Sequence, residues 1–160
     1  MMSNPVYFGW HLFYHYVFKQ RLDRLEQAVT QLKKNLPFEE FRNHPEVNKL
    51  DKLYKTITDT VPRDPENPNF VLGKTLGRHK DWRRVKNSPA PRYRLFFKFF
   101  KDHAEIFYAW FNDENTLRKS GDKNDVYKVF KSMLERGDVP SHRDDLKKAS
   151  HPLNSSQSSH

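Results

Sequence analysis

Residues 92–100 read Arg-Tyr-Arg-Leu-Phe-Phe-Lys-Phe-Phe, and this stretch decides the fold. Its side chains alternate, so that one face of an extended strand carries Tyr93, Leu95, Phe97 and Phe99. The opposite face carries Arg92, Arg94, Phe96 and Lys98. A period of two predicts a β-strand with one buried face. The cations on the other face would repel one another unless an anion lay across them, so the pattern predicts RNA there.

Positive charge is concentrated around this strand. The chain has 29 lysines and arginines against 20 acids, a net charge of +9, and nine of those cations lie in residues 74–98 with Asp81 as the one acid. A solvated basic face is the usual explanation of such a run. Here the cations are interleaved with Trp82, Tyr93 and Phe96, and aromatic rings among cations favour nucleic-acid binding.

The rest of the chain alternates between helical and strand patterns. Apolar residues recur at steps of three and four in residues 15–36 and 45–61, which predicts a helical hairpin packed on the sheet. A coiled-coil dimer is the alternative, but neither apolar stripe exceeds three heptads. Further strands are predicted at residues 7–14, 82–86 and 105–111, the last of them central because it is apolar on both faces. A final helix begins near Val126 and ends at Gly137. The predicted fold class is therefore α+β.

Length and composition indicate one folded domain, residues 1–149, followed by a Ser-rich tail, residues 150–160, that is predicted to be disordered. The chain contains no cysteine, which excludes disulfides and thiolate chemistry. It shows no signal-peptide pattern and no apolar run of membrane-spanning length. We therefore expect a cytoplasmic protein without membrane contacts.

Several blocks of sequence carry a family resemblance. They are Gly-Trp at 9–10, Lys-Asp-Trp-Arg-Arg-Val-Lys at 80–86, Arg-Tyr-Arg-Leu-Phe-Phe at 92–97, Asn-Asp-Glu-Asn-Thr-Leu-Arg at 112–118 and Met-Leu at 133–134. In order and spacing, over residues 9–146, these blocks resemble the YhaV family, the toxins of bacterial type II toxin–antitoxin pairs in the RelE-like superfamily. The resemblance implies a small antiparallel sheet with a helical hairpin before it and a helix after it.

The same resemblance implies an activity and partners. It implies an endoribonuclease that cleaves mRNA, often at the ribosome, and so inhibits translation and growth. It also implies an antitoxin of the PrlF type with an AbrB-like DNA-binding domain, and contact with operator DNA only through the complex with that antitoxin.

The chemistry that the resemblance implies is attack of the 2′-hydroxyl of the RNA on the adjacent phosphate. The protein then needs no nucleophile, metal or cofactor, but it does need cations where charge builds on the phosphate oxygens. Arg94 matches the arginine that stabilises this charge, and Lys86 matches a second catalytic position on the preceding strand. Tyr127 matches a tyrosine that stacks a base or assists proton transfer. The residues expected to bind RNA are Lys80, Arg84, Arg92, Lys98 and Lys123.

Each of these residues also has a purely structural alternative. Arg94 could pair with a carboxylate, and Tyr127 could be an ordinary core residue. The basic pair on the preceding strand could protect a sheet edge from aggregation. His11 and His15 have the spacing of metal ligands on a helix, but no acidic third ligand lies near them in the sequence.

Two departures from the family pattern bear on activity. The hairpin before Arg92 contains Pro-Ala-Pro at 89–91 where the family tends to have glycine, and a stiffer loop could move Arg94 relative to Lys86. Asp122 stands where the family usually has a lysine. The second function to consider is therefore a non-cleaving module that binds RNA or the ribosome, or an antitoxin-dependent DNA co-repressor. A plain structural protein would leave the basic segment unexplained.

Overall fold

A computed structural model describes residues 5–153, which form five strands and six α-helices. In chain order the strands are β1 (His11–His15), β2 (Arg83–Lys86), β3 (Arg94–Phe100), β4 (Glu105–Phe111) and β5 (Ser150–Pro152). The helices are α1 (Tyr16–Asn35), α2 (Phe38–Arg42), α3 (Pro45–Lys55), α4 (Val61–Arg63), α5 (Val126–Arg136) and α6 (Arg143–Lys148). A π-helical turn, Thr56–Thr60, joins α3 to α4.

The strands form a single sheet in the order β2-β3-β4-β1-β5. Three of its neighbouring pairs are antiparallel, and β1 lies parallel to β4. The predicted α+β class with a small antiparallel sheet is confirmed, whereas the one parallel pair was not predicted. The chain leaves β1 through the helices and returns through β2 and β3 to reach β4, the kind of long connection that a parallel pair requires. Every residue of β4 is buried, as expected for a central strand.

The first helix begins where β1 ends. The imidazole Nδ1 of His15 accepts the backbone N–H of Val17 at 3.2 Å and so caps α1. The residues that α1 buries are Phe18, Leu22, Leu25 and Val29. Their spacing places them in one stripe against the sheet, and this confirms the helix predicted at residues 15–36. The sequence pattern did not predict the short helix α2.

The second helix of the hairpin is longer than predicted. It passes from α3 through the π-helical turn into α4 and ends at Arg63. A proline usually stops a helix, and the predicted apolar stripe ends just before Pro62, yet this proline lies inside the continuous helix. Its missing N–H cannot bond a carbonyl of the preceding turn, and in that turn the Ile57 carbonyl accepts the Tyr108 hydroxyl at 2.7 Å. Together α1 and α3 cover one face of the sheet and build the larger apolar core, which includes Leu95 and Phe97 of β3.

A second apolar core fills the opposite face of the sheet. α5 brings Phe130 onto Phe96 of β3, with ring centroids 4.1 Å apart, and the ring of Trp110, which lies beside Phe96, is nearly parallel to Phe130 at 6.2 Å. The alternation predicted for β3 is therefore confirmed, but the expectation of only one buried face is wrong. Helix α5 packs across the middle of the cationic face of β3. Of the cations of the strand, Arg94 and Lys98, toward its two ends, remain partly exposed beside the helix.

Residues 150–153 belong to the fold. Ser150–Pro152 pair with β1 and Leu153 is buried, so the predicted disordered tail is wrong for residues 150–153. Residues 154–160 of that tail lie outside the described residues. The buried Glu105 at the start of β4 accepts hydrogen bonds from Arg143 of α6 at 2.8 and 3.1 Å and pairs with Lys147 at 2.9 Å. Between residues 5 and 153, no helix is long and apolar enough to cross a membrane.

Candidate active site

Two arginines from neighbouring strands converge on one tyrosine hydroxyl. In the antiparallel pairing of β2 with β3, Arg84 lies opposite Phe96 and Lys86 lies opposite Arg94. Arg84 and Arg94 therefore project from the same face, diagonally across the strand pair. Tyr127 of α5 lies over them, and its Oη accepts the Nε–H of each guanidinium at 3.0 Å.

Among residues 5–153, no carboxylate neutralises the guanidinium of Arg84 or Arg94. Arg84 is 9% exposed and donates its Nη1 to the Asn69 carbonyl at 2.7 Å. Arg94 is half-buried and donates its Nη1 to the Tyr93 carbonyl at 3.0 Å. In the part of the chain that the structure describes, neither forms an ion pair. Burying a cation without a counter-ion is costly, so the arrangement favours a site that receives an anion. The ion-pair alternative for Arg94 and the edge-protection alternative for Arg84 do not describe this geometry.

The position of Tyr127 is fixed by the start of α5. The Asp125 carboxylate caps that helix and accepts the Tyr127 backbone N–H at 3.2 Å. The ring is 5% exposed and meets the edge of Phe96 at 5.9 Å. A buried ring offers no open face to a base, which disfavours the stacking role expected for this tyrosine. Its oxygen accepts two guanidinium protons, and its own O–H remains as a hydrogen-bond donor.

A third arginine, Arg118, joins this group and was missed in the sequence. Its guanidinium carbon lies 4.8 Å from the centre of the Tyr127 ring, and its Nη1 donates to Asp125 at 2.9 Å. The signal was available, because Arg118 ends the Asn-Asp-Glu-Asn-Thr-Leu-Arg block, but that block was used only for the resemblance. We refer to Arg84, Arg94 and Arg118 around Tyr127 as the arginine cluster.

A buried asparagine holds the strand end that carries Arg94. The Oδ1 of Asn112 accepts the Arg94 backbone N–H at 2.8 Å, and its Nδ2 donates to the Thr116 carbonyl at 2.7 Å. Arg92 and Arg118 are joined through their main chains, because the Arg118 N–H donates to the Arg92 carbonyl at 2.9 Å. These bonds tie the loop after β4 to the start of β3 and so bring Arg118 to the cluster.

The remaining predicted residues divide into those near the cluster and those elsewhere. Lys86 is exposed directly opposite Arg94, and among the described residues it forms no hydrogen bond or ion pair. The Pro-Ala-Pro hairpin therefore leaves Lys86 and Arg94 in register. Arg92 was expected on the strand, but its left-handed φ of 69° places it in the hairpin, where its Nε donates to the Arg118 carbonyl at 3.1 Å.

Lys98 was expected to bind RNA, and the structure assigns it a different environment. Its ammonium donates to the Ser141 carbonyl at 2.8 Å and lies 5.8 Å from the Trp82 ring centre and 5.4 Å from that of Phe100. Burial lowers the pKa of the Lys98 ammonium, and Asp81 opposes that shift. Lys98 thus anchors the segment before α6, and one of its three N–H donors is engaged there, which disfavours its expected role in RNA binding.

Lys80 and Lys123 are both exposed in turns, before β2 and before α5 respectively. Asp122 caps the turn of the second of these, accepting the Asn124 backbone N–H at 2.8 Å. The metal alternative for His15 is disfavoured, since its Nδ1 caps α1 and the ring is fully buried. Within residues 5–153 no three His, Asp or Glu side chains are grouped to hold a metal ion.

Comparison with known proteins places this site in a family. A family model described as a toxin with endonuclease activity, of toxin-antitoxin system, matches residues 12–151. The chain is 41% identical over 134 residues to the ribonuclease toxin YhaV of Escherichia coli K12, which covers 82% of this chain and 86% of that protein. The toxin YhaV of Escherichia coli O157:H7 matches to the same extent, and no solved structure matches. Since the family model spans residues 12–151, which include the whole arginine cluster, and the identity extends over most of both chains, this chain belongs to the YhaV family, the endoribonuclease toxins of toxin–antitoxin systems.

Proposed function

We propose that this toxin cleaves mRNA without a metal ion, by attack of a ribose 2′-hydroxyl on the adjacent phosphate. The observation that carries the proposal is the convergence of two guanidinium groups, both without a carboxylate partner in the described chain, on the Tyr127 hydroxyl. In the reaction the 2′-oxygen forms a bond to phosphorus and the bond to the 5′-oxygen breaks. The 2′-hydroxyl releases its proton to water as it attacks, and the leaving 5′-oxygen takes up a proton. The products are a 2′,3′-cyclic phosphate and a 5′-hydroxyl.

Arg94 is the residue that we assign to the charge developing on the phosphate oxygens. Its Nε and Nη1 are fixed by Tyr127 and by a backbone carbonyl, which leaves Nη2 without a protein acceptor among the described residues. A guanidinium held in this way needs no reorganisation when negative charge builds up, and one such donor is typically worth about 10²–10³ in rate. Arg84, which is more deeply buried, donates its Nε–H to the same Tyr127 oxygen.

Tyr127 and Lys86 are the other residues that we place in catalysis. The phenol donates its remaining proton, and we assign it to the leaving 5′-oxygen, because both arginine bonds occupy the acceptor side of its oxygen. The Lys86 ammonium, exposed opposite Arg94, contributes charge beside the phosphate. Lys80, Arg92 and Lys123 are assigned to RNA binding.

Membership of the family supplies an RNA substrate and an antitoxin partner. We further propose that the substrate is mRNA, also at the ribosome, and that cleavage inhibits translation and growth in the cytoplasm. The proposed antitoxin is of the AbrB-like PrlF type, and operator DNA is contacted only through the complex with it.

The test is cleavage of a defined RNA by the purified chain in the presence of EDTA. We expect fragments with 5′-hydroxyl and 2′,3′-cyclic phosphate ends, and loss of cleavage in Arg94→Ala with cooperative unfolding retained. When the chain is expressed in growing bacteria, growth arrest with intact mRNA would instead support the non-cleaving module that binds RNA or the ribosome. Cleavage that requires a metal ion, or fragments with 5′-phosphate ends, would rule out attack by the 2′-hydroxyl.

A further inference from the structure

A second basic surface lies beside the arginine cluster, on the side of the edge strand β2 that faces α3. It is a cleft of about 590 Å³ between α3 with its π-helical turn and the strand β2. The cleft is lined by three lysines, Lys52, Lys55 and Lys86, together with the hydroxyl side chains of Thr56, Thr60 and Ser88. We refer to it as the lysine cleft.

The charge of this cleft is not balanced by the protein. In the described part of the chain Lys52, Lys55 and Lys86 form no ion pair, and Asp51 is the one acid in the lining. Lys49, one turn earlier on α3, shows the contrast, because it pairs with Glu46 at 3.0 Å. Like charges three residues apart on a helix destabilise it slightly. Three such cations around one cleft are therefore suited to an anionic ligand.

The floor of the lysine cleft is built from hydroxyl groups. The Ser88 hydroxyl donates to Thr56 Oγ1 at 3.1 Å, and Thr56 donates onward to the Lys52 carbonyl at 2.9 Å. Both side chains are almost fully buried, at 1% and 5% exposed. The helix widens at this point, where the N–H of Val61 bonds the Thr56 carbonyl in the π-helical turn. Single π turns within helices occur frequently at functional sites.

Lys86 connects the lysine cleft to the arginine cluster. It lines the cleft and also lies directly opposite Arg94 in the β2–β3 pairing. β2 is an edge strand, so a ligand can pass around it from one face of the sheet to the other. A polymer with one negative charge per residue could therefore contact Arg94, Lys86 and the cleft in succession.

We propose that the lysine cleft binds the phosphate backbone of the single-stranded RNA that flanks the cleavage site. This inference rests on the proposed function, since it takes the arginine cluster as the place of cleavage. The lysine ammonium groups and the exposed Thr60 hydroxyl, without an aromatic platform in the lining, fit phosphates and riboses in any sequence, and the cleft contributes affinity without base preference.

The experiment measures binding of a long single-stranded RNA in which 2′-deoxy substitution at the cleavage site prevents the reaction. The salt dependence of affinity for single strands has a slope of about 0.7 per phosphate contact. We expect the double variant Lys52→Ala/Lys55→Ala to lower that slope by about 1.4. The matched control is Lys33→Ala/Lys34→Ala, which removes the same charge from the exposed end of α1 and should leave the slope within a few tenths of wild type.

A minimal substrate separates this inference from the proposed function. A dinucleotide reaches only the arginine cluster, so Lys52→Ala/Lys55→Ala should cleave it at the wild-type rate while binding the long RNA more weakly. If wild-type protein does not cleave the dinucleotide but the slopes for the long RNA differ as expected, the cleavage proposal fails and the proposal for the lysine cleft is supported. Equal salt slopes for Lys52→Ala/Lys55→Ala and Lys33→Ala/Lys34→Ala would overturn the proposal that the lysine cleft binds RNA. A double variant that binds RNA normally but loses the antitoxin would also overturn it, in favour of an acidic protein segment.

Discussion

The hydroxyl of Tyr127 offers the sharpest test of the site, because Tyr127→Phe removes a single oxygen on which two cations depend. A hydrogen bond to a charged group contributes about 1.5–3 kcal/mol to stability. Arg84 is 9% exposed and cannot recover the bond from water, whereas Arg94 is half-buried and recovers part of it. We therefore expect the free energy of unfolding to fall by about 2–4 kcal/mol. Without their common anchor the guanidiniums lose their fixed positions, and single-turnover cleavage should slow by about 10²–10³.

Tyr93→Phe is the matched control. Its hydroxyl accepts one hydrogen bond, from Lys49 at 3.2 Å on the helical face of the sheet, and that lysine also has Glu46 as a partner. Its loss should cost about 0.5–1 kcal/mol and leave the cleavage rate unchanged. Both quantities are measured by urea unfolding and by single-turnover cleavage below the unfolding transition. If Tyr127→Phe matched Tyr93→Phe in both, the hydroxyl would not be what holds the arginine cluster.

Four further changes should have distinct effects. Arg94→Lys keeps the charge but loses the bond to the tyrosine, and we expect cleavage to fall about a hundredfold in a single-turnover assay while the free energy of unfolding falls by less than in Tyr127→Phe, where both arginine bonds are lost. Lys98→Ala should lower the unfolding midpoint yet leave the salt slope of RNA binding unchanged, since this lysine contacts a backbone carbonyl. Burial tends to raise the pKa of Glu105, but hydrogen bonds from its two basic partners lower it overall. Its contribution is therefore complete above the ordinary carboxyl pKa of 4.5 and is lost as the pH falls through the lower folded value, so the stability gap between wild type and Glu105→Gln should close in acid. Burial lowers the pKa of His15 from 6.5 to about 4, so wild-type stability should decline between those values, and His15→Asn, which keeps a capping acceptor, should flatten the decline in urea titrations.

The spacing of apolar residues in the sequence predicted the strand β3 and the helix α1. The period of two in β3 and the helical stripe of α1 both record which side of the element meets the core, and both are confirmed. The two faces of β3 are covered by different layers, however, and sequence alternation alone does not say whether a cationic face is open. That depends on α5, which crosses the face from about thirty residues further along the chain.

The sequence predicted which residues the structure brings together at the centre of the candidate site, but it did not predict the contacts of the residues around them. Arg84, Arg94 and Tyr127 meet as the family pattern implies, because they come from adjacent strands and the helix that packs on them. Lys98 has the same strand face as Arg94, yet its partner Ser141 is 43 residues away, in a segment without a strong periodic signal. Arg118 likewise reaches the cluster through an irregular loop held by side-chain hydrogen bonds, which no periodicity reveals.

The pairing of β5 with β1 has a consequence for synthesis of this toxin. The first and last strands that the structure describes, β1 and β5, lie side by side, and β4 at the centre of the sheet is flanked by β1 and β3. Contacts between distant parts of a chain form late, because loop closure must precede them. A partly translated chain therefore lacks the strand that closes one side of its sheet until β5 has left the ribosome.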